Sequence, residues 1–510
     1  MGTAAISSDE IPSSPSQGLM RSAGKAAIWV AFSKWLGLLS GLVSLVVVAR
    51  LLTPEDFGVY GFLLIVLVIP EVFSSDSLNE VLIQRTDLKT EHSNSVFLSS
   101  LCFAALFFGL IQLSAPYIAV LFDVPPLVDY LRVMSLVLFM GALSAVPAAL
   151  LQRHMQFREI TIVDVEGYIV GAIVGVSCAI LFQNAWALVA MEISRRFARM
   201  LAFLYFAKWW PSFRTNLIEF KSLLRFKMAS IGLRLVAAGD LGLPRLFVGL
   251  FLGPAALGMF NLAMRIQNQA MQALVSPFGA VAFPVASKTQ NDHPTLYKTM
   301  STAIWLAGFI AYPAFIGAAA AAPVIVPVVF GDQWNDAIIA IQISMLMGIR
   351  LPSSAFNGGV LRGVGRPGLL LKVSVFALLV LLVMLPFASR VSLEAVMIAL
   401  AFQKFLGWFL SSWAVYRAVK FPITRQILAG SSVLIAALVM GGGIWWAAGH
   451  LPDDWSDLTR VAAIIGLGIA LYVAGLLIAA PAMAKRGMSS MVMLLKGDRK
   501  MAIANLRKVS

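Results

Sequence analysis

The chain has 510 residues, of which 59% are hydrophobic and 13% are charged, and its formal net charge is +14. A soluble domain carries about 25% charged residues, so this composition and the mean hydropathy of +0.85 exclude a soluble globular protein. The two cysteines, Cys102 and Cys178, lie inside apolar runs and provide neither a disulfide framework nor a metal site.

Residues 1–20 are polar and rich in Ser, which predicts a disordered cytoplasmic tail and not a cleavable signal. A membrane-spanning helix needs about 20 apolar residues, and about fourteen such segments follow. They lie near 26–49, 57–75, 95–121, 127–151, 160–182, 184–207, 227–251, 257–284, 301–329, 337–361, 368–388, 394–416, 427–448 and 461–483. Pro313, Pro323 and Pro327 predict that the ninth segment is broken. Because backbone groups in lipid must be satisfied internally, we expect an all-α polytopic membrane protein.

Lysine and arginine are unevenly divided between the two sides of these segments. If the N-terminus is cytoplasmic, the loops on the opposite side contain only Arg50, Arg390 and Arg460. This bias predicts two cytoplasmic termini, and it accounts for the net charge without a nucleic-acid partner. The basic residues of the 486–510 tail either lie on anionic lipid headgroups or are solvated.

A short motif is repeated along the chain. The pattern Leu-x-Pro-x-x-x-Gly-x-aromatic occurs at 52–60 and again at 252–260, each time as a proline-led turn that opens the next helix. Its position after the first and the seventh segment predicts parallel repeats, which form two lobes of six helices in transporters. The predicted organisation is an N-lobe (21–207), a basic cytoplasmic linker (208–226), a C-lobe (227–418) and two extra helices (419–485).

Polar side chains follow one face of the predicted eighth helix. Asn261, Arg265, Asn268, Gln269 and Gln272 recur at i, i+4, i+7, i+8 and i+11, which places them on one side of an otherwise apolar segment. A polar stripe on a helix in lipid is typical of a cavity wall, and the alternative is a packed helix–helix interface held by hydrogen bonds. We favour the cavity, because arginine packs poorly between helices.

The seventh and sixth segments carry further arginines. Arg234 and Arg245 would share a face of an unbroken seventh helix, although Gly239, Gly242 and Pro244 predict an interruption there. In the sixth segment, Glu192 is within reach of Arg195 or Arg196 and leaves net positive charge with Arg199, either in the cavity or near a cytoplasmic end. Further cationic candidates for the cavity are Lys34 and Arg350.

Acidic residues are fewer in the predicted spans. Asp240, Asp164 and Glu166 are the candidates for a coupling-ion site, and Asp240 is alternatively the local partner of an arginine. Because basic residues outnumber acidic ones in the spans, an anionic substrate fits better than a cationic drug. Arginine matches phosphate oxygens with a planar fork of donors, which favours a substrate that contains pyrophosphate.

Three stretches resemble one known family. The turn Arg50–Gly58, the segment Asn261–Asn268 followed by Ala282–Val285, and the loop Asn357–Arg366 are similar to sequences of bacterial polysaccharide transporters. These are the Wzx-type flippases of the multidrug/oligosaccharidyl-lipid/polysaccharide exporter superfamily. The resemblance implies a V-shaped bundle of two lobes that moves undecaprenyl-pyrophosphate-linked oligosaccharide across the inner membrane, for exopolysaccharide, O-antigen or capsule synthesis. Membrane lipids, and a polymerase and chain-length or export proteins of the same pathway, are the expected partners.

Enzymatic signatures are not found in the sequence. It contains neither a Gly-x-x-x-x-Gly-Lys-Ser/Thr loop for ATP nor a His-Glu-x-x-His motif, so we expect no cofactor, no metal and no enzyme activity. Two alternatives stay open: a lipid II-type or multidrug exporter of the same superfamily, and, less favoured, a membrane-bound polymerase or acyltransferase.

Overall fold

The computed structural model describes residues 36–73, 82, 90–211, 217–279, 282–289, 292–452 and 454–479. Regular structure in these residues is helical throughout. The first helices are α1 (Leu36–Leu51), α2 (Pro54–Glu71), α3 (Thr90–Leu121), α4 (Leu127–Met134), α5 (Val137–Arg153), α6 (Phe157–Phe182) and α7 (Trp186–Ala207). The helix Leu217–Leu274 follows, and Gly253 divides it into α8 (217–252) and α9 (254–274). The later helices are α10 (Ser276–Gly279), α11 (Ala282–Lys288), α12 (His293–Phe330), α13 (Ile338–Leu346), α14 (Leu351–Gly363), α15 (Pro367–Ala388), α16 (Leu393–Val419), α17 (Ile423–Leu428), α18 (Ser431–Ala448) and α19 (Asp457–Ala479).

The protein is a multi-pass membrane protein, as predicted. Within the described ranges, 10 helical segments are long and apolar enough to cross a bilayer, and one of them, Arg234–Leu274, combines the second half of α8 with α9. Three further predicted segments coincide with α1, α2 and α7. These helices are not among the 10, because the described part of α1 is too short to span a bilayer and because α2 and α7 carry several charged residues. The number of fourteen spans therefore stays a prediction. Helix α8 begins at Leu217, so the second half of the predicted 208–226 linker is helical.

The two copies of the repeated motif contact each other. Pro54 opens α2 after Thr53, whose side chain and that of Asp56 form a capping box, and Pro254 opens α9 after Gly253 at φ 82°. The helices cross at Gly58 and Gly258. A Cβ atom on Gly58 would lie 2.8 Å from the Cα of Pro254, and a Cβ atom on Gly258 would lie 2.7 Å from the carbonyl carbon of Pro54. The contact is reciprocal, and glycine is required on both sides.

Next to this crossing, side chains of each lobe donate hydrogen bonds to backbone carbonyl oxygens at helix ends of the other lobe. Arg50 donates to the carbonyl oxygens of Val328 and Val329 at the end of α12. In return, the indole nitrogen of Trp334 donates to the carbonyl oxygen of Ala49 over 2.8 Å, near the end of α1. The last carbonyl groups of a helix have no partner in their own helix, so these hydrogen bonds join the lobes at the Pro54 end.

The predicted break in the ninth segment is wrong, because α12 is continuous from His293 to Phe330. A proline leaves the carbonyl oxygen four residues earlier without its donor. For Pro313 this oxygen belongs to Phe309, and it accepts from the hydroxyl of Tyr472 at 2.7 Å. For Pro323 it belongs to Ala319, and it accepts from the side-chain nitrogen of Gln342 at 3.0 Å.

The predicted interruption of the seventh helix is also wrong. Helical backbone geometry continues through Gly239, Gly242 and Pro244, and the single non-helical residue of the 217–274 segment is Gly253. A Cβ atom on Gly239 would lie 3.3 Å from the side chain of Leu378, and one on Gly242 would lie 3.5 Å from that of Val68, so both glycines allow close helix packing. The turn between the seventh and eighth segments is therefore sharp and lies in the repeated motif.

Helices α18 and α19 form an added pair beside the C-lobe. A Cβ atom on Gly475 would lie 3.2 Å from Ala436, which shows how closely the two helices pack. The pair lies against α12, where Tyr472 makes its hydrogen bond to Phe309.

Candidate functional site

A central cavity of about 570 Å³ lies between the two lobes. Its walls come from α1, α2, α6 and α7 of the N-lobe and from α8 and α9 of the C-lobe. On α2 the lining begins at Phe57, whose ring meets that of Trp334 edge-on at 5.0 Å between centroids. The crossing of the repeated motifs therefore lies between the cavity and the Pro54 end of the helices.

The polar stripe of α9 lines this cavity along its whole length. Its members are Asn261, Arg265, Asn268, Gln269 and Gln272. An α-helix turns once every 3.6 residues, so the spacing that the sequence shows keeps all these side chains on the side of α9 that faces the N-lobe. The structure brings the stripe to a cavity and not to a closed helix interface.

Glycines of α6 determine the position of Arg195 on α7. A Cβ atom on Gly171 would lie 2.8 Å from the Cβ atom of Arg195, and one on Gly175 would lie 2.6 Å from that of Met191. Gly167 makes the equivalent approach to Arg199, one turn further along. Three glycines at four-residue spacing form a flat surface that lets two helices approach closely, and Arg195 projects from that seam into the cavity.

Carboxylates partly neutralise the arginines of α7. Glu192 is buried and accepts from Arg195 at 2.6 Å and from Arg196 at 2.5 Å. Arg196 also pairs with Glu71 of α2 at 2.7 Å. Glu192 thus shares its charge between two guanidinium groups, and Arg195 keeps part of its positive charge toward the cavity.

The C-lobe arginines of the cavity have no carboxylate partner within the described part of the chain. The Nε atom of Arg245 donates to the side-chain oxygen of Asn261 over 3.0 Å. No ion pair is formed by Arg265 among the described residues. The side-chain nitrogen of Asn261 and the side-chain oxygen of Gln269 are buried and have no hydrogen-bond partner in the described part of the chain. The walls therefore carry three guanidinium groups against one carboxylate, with polar atoms still unsatisfied.

This arrangement suits an anionic ligand that carries several acceptor oxygens. Guanidinium groups bind phosphate oxygens in a bidentate manner, and buried polar atoms without a partner are expensive to leave unsatisfied. Tyr168 extends the ligand-facing surface, with the guanidinium carbon of Arg195 6.0 Å from its ring centroid. Aromatic and hydroxyl groups beside charged ones provide contacts for sugar rings or ester groups.

Several predicted site residues lie elsewhere. Arg199 pairs with Asp164 at 3.0 Å and does not line the central cavity. Arg234 also lies outside its lining, three turns before Arg245. Arg350 lines a different cavity inside the C-lobe. Lys34 lies outside the described residues.

The acidic candidates are separated from one another. Asp240 pairs with Lys404 of α16 and not with an arginine. Asp164 is occupied by Arg199, and Glu166 is an exposed residue of α6. Within the part of the chain that the structure describes, three or more acidic, His or Cys side chains do not come together as they would in a metal site.

The sequence reasoning missed several lining residues. Tyr60 and Tyr168 both line the cavity, and so does Ser40 of α1. Aromatic residues in an apolar run carry no signal of their own. Gly37 of α1 is the small residue that makes room for the Tyr168 ring, because a Cβ atom on it would lie 2.8 Å from the ring carbon Cδ2.

Comparison with known proteins identifies the relatives of this chain. A model of the polysaccharide biosynthesis protein family matches residues 47–339. The succinoglycan biosynthesis transport protein ExoT of Rhizobium meliloti (strain 1021) is 26% identical over 415 residues, which cover 81% of this chain and 84% of that protein. The lipopolysaccharide biosynthesis protein WzxC of Escherichia coli (strain K12) is 22% identical over 356 residues, 69% of this chain and 72% of that protein.

Solved structures share the fold. The lipid II flippase MurJ in an inward closed conformation superimposes with a TM-score of 0.69 at 15% identity, covering 89% of this chain and 98% of that one. An inward-facing multidrug resistance transporter of the MATE family gives a TM-score of 0.60 at 16% identity, covering 75% and 94%. The resemblance predicted from three sequence stretches is confirmed, since the family model covers more than half of the chain. The chain belongs to the polysaccharide biosynthesis protein family.

Proposed function

We propose that this protein is a flippase that carries oligosaccharides linked to undecaprenyl pyrophosphate across the bacterial inner membrane. The observation that carries the proposal is the group of three arginines, Arg195, Arg245 and Arg265, around one cavity between the two lobes. The named activities of its relatives, transport and biosynthesis of succinoglycan and lipopolysaccharide, support the same class of substrate.

The charge of the cavity selects the headgroup of such a lipid. A pyrophosphate group presents several anionic oxygens, and each charge-assisted hydrogen bond from a guanidinium group contributes roughly 1.5–3 kcal/mol. A cationic drug would instead meet Arg265 and Arg245, which lack carboxylate partners in the described residues. Repulsion by these groups disfavours the multidrug alternative.

Transport would proceed by alternating access. The crossing at Gly58 and Gly258 closes the Pro54 end, and the bias of Lys and Arg predicts that this end is periplasmic. The described conformation then corresponds to one that is closed toward the periplasm. Opening would separate the N-lobe from the C-lobe at the crossing, and a ligand can drive this step only through different affinities for the two states.

The protein would act as a carrier and not as an enzyme, with both termini in the cytoplasm. A polymerase and chain-length or export proteins of the same pathway would receive its product. Asp240, Asp164 and Glu166 stay candidates for ion coupling. Two of them are paired with basic side chains, so an ion could act there only by displacing Lys404 or Arg199.

The lipid pool of a deletion strain tests the proposal. We expect lipid-linked oligosaccharide to accumulate on the cytoplasmic face while extracellular polysaccharide is lost, and the intact gene should restore export. Accumulation of peptidoglycan precursor with normal polysaccharide would instead support a lipid II-type flippase. Unchanged polysaccharide with greater sensitivity to cationic drugs would contradict the proposed substrate.

Variants of one arginine test the site. Arg265→Ala should weaken substrate binding by about 10- to 150-fold, because it removes a charged donor, and export should fall without loss of expression. Arg265→Lys keeps the charge but not the planar fork and should be intermediate. Arg234→Ala is the matched control, since Arg234 lies on the same helix as Arg245 but outside the lining of the cavity. Normal polymer output from Arg265→Ala would remove this residue from the site.

A further inference from the structure

A second cavity, of about 390 Å³, lies inside the C-lobe. Its walls come from α8, the short 3-10 turn Met347–Arg350, α14, α15 and α16, and it shares no lining residue with the central cavity. The charged side chains on its walls are Asp240, Arg350, Lys404 and, at an exposed position, Arg362. This cavity therefore has a net positive charge of its own.

One acidic side chain of this cavity is fully engaged by its neighbours. The carboxylate of Asp240 pairs with the ammonium group of Lys404 through one oxygen. Its other oxygen accepts from the side-chain nitrogen of Gln403 over 3.1 Å. The single carboxylate in the lining thus neutralises Lys404, and Arg350 receives no ion pair from the described residues.

Three polar atoms in side chains that line this cavity are buried and have no hydrogen-bond partner among the described residues. They are the Nε atom of Arg350, the indole nitrogen of Trp408 and the side-chain oxygen of Gln403. The amide orientation of Gln403 follows from chemistry, because its NH₂ group faces a carboxylate that only accepts, which leaves the oxygen unsatisfied. Gln403 is only 5% exposed. The residues that line this cavity therefore hold two donors and one acceptor without partners among the described residues.

A guanidinium group without a counter-charge is costly in a membrane span, and buried atoms without hydrogen bonds add to this cost. We propose that the C-lobe cavity binds a small phosphate-type oxyanion that carries a P–OH group. The anionic oxygens accept from Arg350 and Trp408, and the hydroxyl donates to Gln403. Inorganic phosphate has this chemistry at neutral pH, and a phosphate monoester has it in its monoanionic form, whose pKa is about 6. Sulfate and chloride lack the donor at neutral pH.

The proposal does not depend on the transported substrate. A pyrophosphate esterified at both ends has no P–OH group at neutral pH, and the arginines proposed to hold it lie in the other cavity. The two sites can therefore be tested separately, with Arg350 and Arg265 as the discriminating positions.

Calorimetric titration of the full-length protein in phosphatidylcholine nanodiscs tests the site. Inorganic phosphate at pH 7 should bind the unmodified protein, and Arg350→Gln should weaken binding about tenfold or more, because a charged donor is lost. Arg265→Gln should retain this binding. The proposal is overturned if the unmodified protein does not bind phosphate, if Arg350→Gln binds it equally well, or if Arg265→Gln abolishes it.

Two controls test whether the loss of phosphate binding is specific and does not come from misfolding. Trp408→Phe keeps the aromatic ring and removes only the N–H donor, so it should weaken phosphate binding several-fold while the melting temperature is unchanged. Sulfate should bind the unmodified protein about tenfold more weakly than phosphate, because it cannot donate to Gln403. Equal binding of sulfate would contradict the assignment of a P–OH group.

A lipid competitor distinguishes the two sources of the ligand. Phosphatidic acid carries a phosphate monoester, whose monoanionic form has a P–OH group. If nanodiscs that contain phosphatidic acid weaken the binding of inorganic phosphate, and Arg350→Gln removes this competition, the ligand is a lipid headgroup. If phosphatidic acid has no effect, the ligand is free phosphate; either result supports the site and assigns its source.

Discussion

The reciprocal crossing of the repeated motifs predicts a large effect for a single methyl group. In Gly58→Ala, the added carbon would overlap the carbonyl oxygen of Pro254, which is its nearest neighbour, and would lie 2.8 Å from the Cα of the same residue. Carbon atoms in contact normally stand about 3.5–4.0 Å apart, so the Cα of Pro254 alone would require α2 and α9 to separate by about 1 Å. The closer carbonyl oxygen of Pro254 requires a larger separation. The obstacle is backbone, which cannot turn away as a flexible side chain would.

The expected magnitude follows from the cost of overpacking. Extra carbon atoms in a well-packed contact cost about 1–3 kcal/mol. If this cost falls only on states in which the lobes meet at this end, the equilibrium should shift toward open states by about 5- to 150-fold. Gly258→Ala should act alike, since the contact is reciprocal. The shift in free energy of the double variant should be smaller than the sum of the two single shifts, because the first methyl group already separates the helices.

Thiol labelling measures this shift. With Cys102 and Cys178 replaced by Ser, Ser40→Cys places one thiol in the lining of the central cavity. A membrane-impermeant reagent added at the Pro54 end should label it faster in the Gly58→Ala background. Gly109→Ala is the matched control, because a Cβ atom there meets nothing within 4 Å. Equal labelling rates with and without Gly58→Ala would refute the crossing as a gate.

Two further predictions concern side chains that support the site and the fold. Gly171→Val should displace Arg195, since the Cβ position is already 2.8 Å from that side chain, and it should reduce export as measured by extracellular polysaccharide at unchanged expression. Tyr472→Phe removes the hydroxyl donor of the Phe309 carbonyl and should cost about 1–3 kcal/mol of stability, seen as a lower melting temperature. Adding Pro313→Ala should recover most of this loss by restoring a backbone N–H, and a loss that persists would refute the explanation.

The polar stripe of α9 could be predicted because helical spacing alone decides which residues share a face. Arg265 and Gln272 are separated by two helical turns, and the 3.6-residue period places both on one side. A lone arginine gives no such information. Sequence alone predicts Arg350 in the central cavity, whereas the structure places it in the lining of the C-lobe cavity. The sequence does not say which neighbour a helix face meets.

Contacts between distant residues explain the wrong predictions. Pro313 and Pro323 should disrupt a helix, but Tyr472 and Gln342 supply the missing donors from other helices. The partner of Asp240 is Lys404, far along the chain. Such pairings depend on the tertiary arrangement, which local propensity cannot give.

The crossing at Gly58 and Gly258 has a consequence for the origin of the chain. Each copy of the motif receives the proline of the other copy, so the two surfaces are alike and self-complementary. Contacts of this kind are what a two-fold homodimer makes. A half-length ancestor with one motif could have formed the same contact with a second copy of itself, and gene duplication followed by fusion would have preserved it without a new interface.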